Sequence, residues 1–423
     1  MIQTTFKRVA FRLFAGQSSP PPLSNCTLPS HIGLSEVGLY LHVPFCNSLC
    51  PFCPYNRVRY DADSYELYEQ GVYRELARYS QLLKGCQISS LYIGGGTPTV
   101  DPEGLLRMIA RIKDAFPGKY SVAVELHPAG ASRSVLASLR LAGVTQVSVG
   151  AQSLVDNELR GIGRNHSGDG ARRALEQSLN AGMMVNADLM FALAEQDDAS
   201  WQRTVAETLD IGVHEISTYP MFSFPYAQPY AKLGTVPRRS PERVLRRRLE
   251  IARSMAAKRG FQRSTVWSWT KADAPQFSSV TRHRYIGLGP GAASMTGSSF
   301  YVNTFSVSEY ARVVQSRQPI ALCMSVSPRL ERAYWLYWSL YALQVSRTAF
   351  ATRFHGCNLD REFGRFLRPM RILGWLREDT EGYRVTDSGA YWIHRAQNAY
   401  SLNYLERLWG ACMREAWPTE VHL

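Results

Sequence analysis

The sequence has no apolar run near the ~18 residues that cross a bilayer, so no transmembrane helix is expected. Its first residues show no apolar core with a small-residue cleavage site, and no secretory leader is expected either. Internal repeats, low-complexity tracts and zinc-finger, RRM or KH patterns are absent, which leaves nucleic-acid binding supported by charge alone. Acidic residues are fewer than basic ones, 35 against 48, for a net charge of +13 over 423 residues. That excess asks for an anionic neighbour: a phosphate, a carboxylate or a membrane surface. Residues 2–15 (IQTTFKRVAFRLFA) interleave Phe6, Val9, Phe11, Leu13 and Phe14 with Lys7, Arg8 and Arg12. Two readings follow, a helix lying on an anionic membrane and a helix packed on the protein's own core. The expected location is accordingly the cytoplasm, with peripheral membrane contact as the variant, and the expected state is a monomer.

Cysteine is sparse, with eight residues at 26, 46, 50, 53, 86, 323, 357 and 412. A disulfide framework is not expected in a cytosolic-looking chain of this size. The five dispersed cysteines read as small buried hydrophobes, whereas the triplet Cys46, Cys50 and Cys53 needs another account.

From 38 to 220 short apolar runs alternate with amphipathic stretches. The strands expected are 38–43, 90–94, 119–126, 145–150, 184–190 and 213–219, with helices near 63–82, 102–115, 133–142, 168–181 and 199–211. Strands separated by helices argue for βαβ units and a parallel sheet. Six units suit an open, partial (β/α)6 barrel with ligands at the carboxyl ends of its strands. Residues 221–240 read as a long loop or lid, and 367–393 as a winged-helix-like helix, hairpin and helix. The division expected is an N-terminal extension (1–37), an α/β partial barrel with its lid (38–300) and a mainly helical, winged-helix-like C-terminal domain (301–423).

The stretch Tyr40 to Tyr55, YLHVPFCNSLCPFCPY, places three thiolates with C-x3-C-x2-C spacing directly after an expected strand. Three thiolates hold three irons of a cubane and leave the fourth iron without a protein ligand. A zinc knuckle or an Fe–S electron carrier is the competing reading, but each normally takes a fourth protein ligand. Only His42 is nearby.

This spacing, with Phe52 before the third cysteine, resembles the signature of the radical S-adenosylmethionine superfamily. YLHVPFC, IGGGTPT at 93–99 and VGAQSL…GRNH at 149–166 resemble one subgroup. It contains the oxygen-independent coproporphyrinogen III oxidases, their haem-chaperone relatives, and class C radical methyltransferases and cyclopropanases. The resemblance implies a [4Fe–4S] cluster on Cys46, Cys50 and Cys53, whose open iron chelates S-adenosylmethionine. Electron transfer then cleaves that cofactor to methionine and a hydrogen-abstracting 5′-deoxyadenosyl radical. Gly94, Gly95, Gly96, Thr97, Glu125 and Arg164 match positions contacting the first cofactor molecule. Tyr40, Gly95, Thr97, Gln152, Asp188 and Ala293 match a second. A flavodoxin- or ferredoxin-type electron donor is implied as partner.

Departures from the subgroup's pattern point to a member. Coproporphyrinogen oxidases carry a further cysteine two residues after the third ligand, where this chain has Tyr55. The haem chaperones' HNxxYW-type motif is absent from SSVTRHRYIGLGPGAAS (278–294), and the usual DL..GLP.Q run is DLMFALAEQ at 188–196. SSVTR, WSW at 267–269 and YVNTFSVSEY at 301–310 resemble the methyltransferases and cyclopropanases. The leading expectation is therefore transfer of a one-carbon unit, as C-methylation or cyclopropanation, to an sp² carbon of an aromatic or unsaturated small molecule. In that chemistry Tyr219, His283 and Tyr285 are candidate bases, and Trp267, Trp269 and Phe277 a candidate aromatic wall. The alternatives are a tetrapyrrole-modifying enzyme, by porphyrinogen oxidation or haem-ring opening, and a haem chaperone.

Overall fold

The computed structural model describes residues 12, 14–17, 19–26, 32–221, 241–274 and 283–423, the side chains of 399–401 excepted. The lid segment, Phe277 and most of residues 2–15 lie outside these. Phe14 is described, and its ring sits 5.0 Å from Phe366 and 6.3 Å from Phe363.

All six expected strands form: β1 (Glu36–Val43), β2 (Gln87–Gly95), β3 (Ser121–Leu126), β4 (Gln146–Gln152), β5 (Met184–Phe191) and β6 (Glu215–Pro220). Between them run α1 (Ala62–Leu82), α2 (Pro102–Ala115), α3 (Arg133–Leu141), α4 (Gly168–Asn180) and α5 (Asp198–Ile211). Local chemistry sets the helix ends. Asp61 and Asp101 cap α1 and α2 by accepting from Ser64 N and Gly104 N, satisfying donors the first turn leaves open. A reciprocal Asp197–Ser200 box starts α5, and Gly212 in the left-handed region ends it. The face of the strands that the helices cover is apolar, while the other face carries Tyr92, Glu125, Ser148, Asn186 and Asp188 towards the barrel interior. Leu39, Leu41, Val124, Val147, Val149 and Ala187 are fully buried in one continuous core.

The strands β1 to β6 are parallel and adjacent in sequence order. The sheet does not stop at six. On the far side of β1, β9 (Tyr285–Leu288) joins as a further parallel strand. It is followed by antiparallel β10 (Ala293–Met295), β11 (Ser299–Asn303) and β12 (Ile320–Ser325). At the other edge, after α6 (Glu242–Lys258), β7 (Phe261–Arg263) and β8 (Ser268–Lys271) continue antiparallel from β6. Residues 300 and 301 lie inside β11, and the sheet runs on through β12 to Leu23–Ser24 and Glu420–Val421 at its edge.

Beyond it α7 (Pro328–Tyr341), α8 (Leu359–Ile372), the hairpin Leu376–Glu378/Gly382–Val385 and α9 (Asp387–Tyr404) build a second core. That core centres on Trp335, Phe350, Phe363 and Leu367. A π-helical turn, Leu405–Trp409, continues α9.

One cysteine expectation is overturned. Cys26 and Cys323 form a disulfide. Leu23–Ser24 pairs with β12 in the register Ser24 opposite Cys323. That pairing holds the two cysteines' Cα atoms 6.0 Å apart, inside the span a disulfide bridges. The arginine run 246–248 is used inside the fold. Arg248 donates to Gln196 Oε1 over 3.0 Å, Arg247 pairs with Asp198 at 2.6 Å, and Arg246 lies over the Tyr391 ring.

Candidate active site

The loop carrying the cysteines is tied down on every side. Phe45–Cys46 pairs with Val58–Arg59, and Thr97 N donates to Phe45 O over 2.8 Å. Asn56 Nδ2 donates to Pro290 O and Phe305 O at 3.1 and 3.0 Å, linking the loop to the strands beyond β1. The Asn56 carbonyl accepts from His42 Nε2 over 2.9 Å, so that nitrogen carries the ring proton. His42 Nδ1 then accepts from Tyr40 Oη at 2.7 Å. Burial lowers His42 to about 4, which keeps the ring neutral.

Each glycine of the Gly-rich turn has its own steric reason. A Cβ on Gly94 would come within 2.6 Å of the Glu125 carboxyl, and one on Gly95 within 2.6 Å of His42. A Cβ on Gly96 would meet Phe45 O at 2.6 Å and Cys46 Sγ at 3.0 Å. Gly95 also has φ +114°, a conformation L side chains rarely adopt. The turn is therefore bare so that β1, β3 and the cysteine loop can close around it.

These elements open on a cavity of about 1770 Å³ at the carboxyl ends of the strands. Of the residues picked from sequence, Cys46, Cys50, Phe52, Cys53, Gly95, Gly96, Thr97, Glu125, Gln152, Arg164, Asp188, Tyr219, Tyr285 and Ala293 line it. Glu125 accepts from Tyr92 Oη at 2.7 Å and from Gly95 N at 3.0 Å, and burial raises it to about 7. Asp188 accepts from Ser148 Oγ and Asn186 Nδ2 at 2.7 and 3.0 Å. Burial raises it to about 6. Arg164 donates from Nη2 to Gly150 O at 2.6 Å and from Nη1 towards Cys50 Sγ at 3.5 Å. Gln152 has φ +64°, unusual for a non-glycine, at an irregular end of β4. Its Oε1 accepts from Tyr219 Oη at 2.8 Å.

Other expectations are corrected by position. Tyr40 and Gly94 do not line the cavity; they act on its wall through His42 and Glu125. His283 lies outside it, with its ring 6.1 Å from Trp335 in the second core, and burial lowers it to about 4. Tyr219 is placed to donate, and burial pushes its phenol well above the usual value, which disfavours it as a base. Trp267 lines the cavity but Trp269 is buried in the core. Sequence reasoning missed Tyr92, Ser148, Asn186 and Ser217 on the cavity floor, Asn56 behind it and Trp409 on its wall. Period-2 alternation from Asp188 signals Asn186; nothing local signals Trp409, which lies 354 residues after Tyr55 yet has its ring 5.6 Å from it.

The site fits a cluster bound through three thiolates. Cys46, Cys50 and Cys53 are unpaired and face the cavity. Arg57 and Arg164 each keep a buried Nε without a partner beside them. Among the described residues no His, Asp or Glu joins the three cysteines in a set of ligands around a single ion. A cubane instead takes one thiolate at each of three corners.

The superfamily model matching this chain is that of the radical SAM superfamily, over residues 40–207. The chain carries a radical SAM domain. Members of that superfamily use a [4Fe–4S] cluster and S-adenosylmethionine. A zebrafish mitochondrial radical S-adenosyl methionine domain-containing protein 1 is 27% identical over 63% of this chain and 61% of its own length. The chain thus spans under two thirds of that relative. The heme chaperone HemW of Bacillus subtilis is 24% identical over 83% of this chain and 95% of its own. An oxygen-independent coproporphyrinogen III oxidase of Cereibacter sphaeroides is 28% identical over 66% and 67%. Among solved structures, Escherichia coli coproporphyrinogen III oxidase superposes with a TM-score of 0.74 at 20% identity, covering 85% of this chain and 89% of that one. Over that share the chain has the fold of that enzyme. Among the described residues no helix is long and apolar enough to cross a membrane.

Proposed function

We propose that this radical SAM chain acts on a tetrapyrrole-sized, flat, unsaturated carboxylate in the cavity at its strand ends. The observation carrying this is the cavity itself. At about 1770 Å³ it exceeds the 300–1,000 Å³ usual for small-molecule sites, so it has room for a large substrate beside the cofactor. Its walls include the aromatic residues Trp267, Trp338, Tyr341, Trp375 and Trp409, with Arg395 and Arg407 among its cations. A flat conjugated body with acidic side chains suits such a lining. The names of the Bacillus and Cereibacter relatives, a heme chaperone and a coproporphyrinogen oxidase, support the same class.

The cluster and cofactor, when bound, supply one-electron cleavage and hydrogen abstraction. The chain's residues do the remainder. Cys46, Cys50 and Cys53 would hold the cluster, while Arg164, Glu125 and the bare Gly95–Gly96 edge would hold the cofactor. Gln152, Asp188, Thr97 and Ala293 are the cavity residues available to a second cofactor molecule. Asp188 and Glu125, raised by burial to about 6 and about 7, are cavity carboxyls able to exchange a proton near neutrality. Tyr219 stays protonated and orients Gln152. A flavodoxin- or ferredoxin-type protein is the proposed electron donor.

One observation favours a second reading. Tyr55, standing where the porphyrinogen oxidases have a further cysteine, lines the cavity against Trp409. A phenol cannot replace a thiol in a decarboxylation that needs one, and one-carbon transfer onto a flat unsaturated substrate does not. The relatives' names give that chemistry no support.

Anaerobic turnover with haem, coproporphyrin or coproporphyrinogen decides between them. Saturable Soret changes and tetrapyrrole-dependent 5′-deoxyadenosine formation are expected; neither appearing with any of the three would sink the tetrapyrrole reading. Methyl-deuterated S-adenosylmethionine adds the second arm. Deuterium in 5′-deoxyadenosine would establish the one-carbon reading, and its absence would end it.

A further inference from the structure

We propose that Arg57 sets the electron affinity of the cluster held by Cys46, Cys50 and Cys53, making it a positioning and potential-tuning residue. The proposal rests on those cysteines holding the cluster. Arg57 follows the third cysteine by four positions and lines the cavity. Its Nη2 donates to Cys50 O over 2.6 Å and its Nη1 to Tyr55 O over 3.3 Å. The guanidinium therefore straddles the third cysteine, gripping the chain on both sides of it. Cys50 O also accepts from Cys53 N at 3.2 Å, so the same carbonyl closes the turn and anchors the cation. Arg57 Nε is buried with no partner, a donor left over once the backbone contacts are made.

The other nearby cation has a different task. Arg164 matches the position that meets the cofactor's carboxylate, which would neutralise much of its field. Arg57 has no carboxylate partner among the described residues, so its charge stays available to the cluster. One electron entering the cluster takes the core from 2+ to 1+, and with three thiolates the net charge goes from 1− to 2−. A fixed cation held on the backbone of the cysteine loop favours the more negative state, which raises the potential.

The test uses the full chain, reconstituted anaerobically, as wild type, Arg57→Gln and Arg57→Lys. Iron and sulfide content are measured first, then the midpoint by dithionite titration followed by electron paramagnetic resonance. Arg57→Gln should lower the reduced-to-oxidised ratio at fixed ambient potential about tenfold, about 59 mV for one electron. Arg57→Lys, which keeps the charge, should hold the wild-type midpoint. A glutamine variant with full cluster content and an unshifted midpoint overturns the proposal. If Arg57→Gln takes up no cluster, Arg57→Lys decides. Full loading at the wild-type midpoint supports the charge, and a lysine variant that is empty or shifted overturns it. Failure of the wild type itself to bind iron would instead count against the cysteine assignment.

Discussion

The Glu125 carboxyl occupies the space that a side chain on Gly94 would need, 2.6 Å from where that Cβ would sit. Glycine and carboxylate are thus one unit made by two neighbouring strands. Gly94→Ala is expected to displace Glu125 from Tyr92 and Gly95, costing about 1–3 kcal/mol of stability by overpacking. Cofactor cleavage should fall at least about tenfold with cluster content intact. Thermal melts and anaerobic 5′-deoxyadenosine assays measure the two effects, and an alanine variant of wild-type activity would show the fit to be looser than described.

Glu75 is fully buried and accepts from Gly289 N, Tyr310 Oη and Asn303 Nδ2, yet burial still raises it to about 7 from an ordinary 4.5. A carboxyl raised on folding stabilises the protein most below its unfolded pKa. That contribution disappears as pH rises through the folded value. Glu75 should therefore cost the chain about 3 kcal/mol between pH 4.5 and pH 8. Urea denaturation at both ends of that window should show the loss in wild type and a flatter profile in Glu75→Gln.

Tyr219→Phe is expected to lower turnover by no more than about tenfold, the value of one hydrogen bond to Gln152. The pH profile should keep its shape, because a phenol raised by burial does not titrate in the working range. A variant that abolished turnover and removed an alkaline limb would restore Tyr219 as the base.

Tyr55 and Trp409 should act together on the substrate. Their rings contact one another at the cavity wall, so Tyr55→Ala and Trp409→Ala should be non-additive in tetrapyrrole binding by about 0.5–1.5 kcal/mol. A double-mutant cycle read by absorbance titration checks this, and strict additivity would separate the two residues.

The cluster-free, unreduced protein should show six reactive thiols in denaturant and eight after reduction, since six of its eight cysteines are unpaired. The Cys26–Cys323 bridge closes a separation of 297 residues. Its loss through Cys26→Ser is expected to cost up to about 5 kcal/mol by the chain-entropy model.

What could be seen in the sequence followed from local regularity. Apolar runs bounded by caps and turns marked β1 to β6, and the rule that ligands sit at carboxyl strand ends brought Glu125, Gln152, Arg164 and Asp188 to one mouth. Features made by distant pairing stayed hidden. β10 to β12 join the barrel sheet only through antiparallel hairpins beyond a parallel β9. The Cys26–Cys323 pair depends on a two-residue strand, which has no periodicity to read. His283 carried a suggestive neighbourhood in sequence, but the chain turns it into the second core. Trp409 reaches the site only because α9 returns across the whole barrel.

The outermost pairing of the sheet places Leu23 opposite Val421 and Ser24 opposite Glu420. The first and last strands of the described chain are therefore hydrogen-bonded neighbours at one edge of the sheet. A short tether joining them would leave the barrel's connectivity undisturbed. New ends could then be opened in an exposed turn such as that between α2 and β3, giving a permuted chain that assembles the same site in a different order of synthesis.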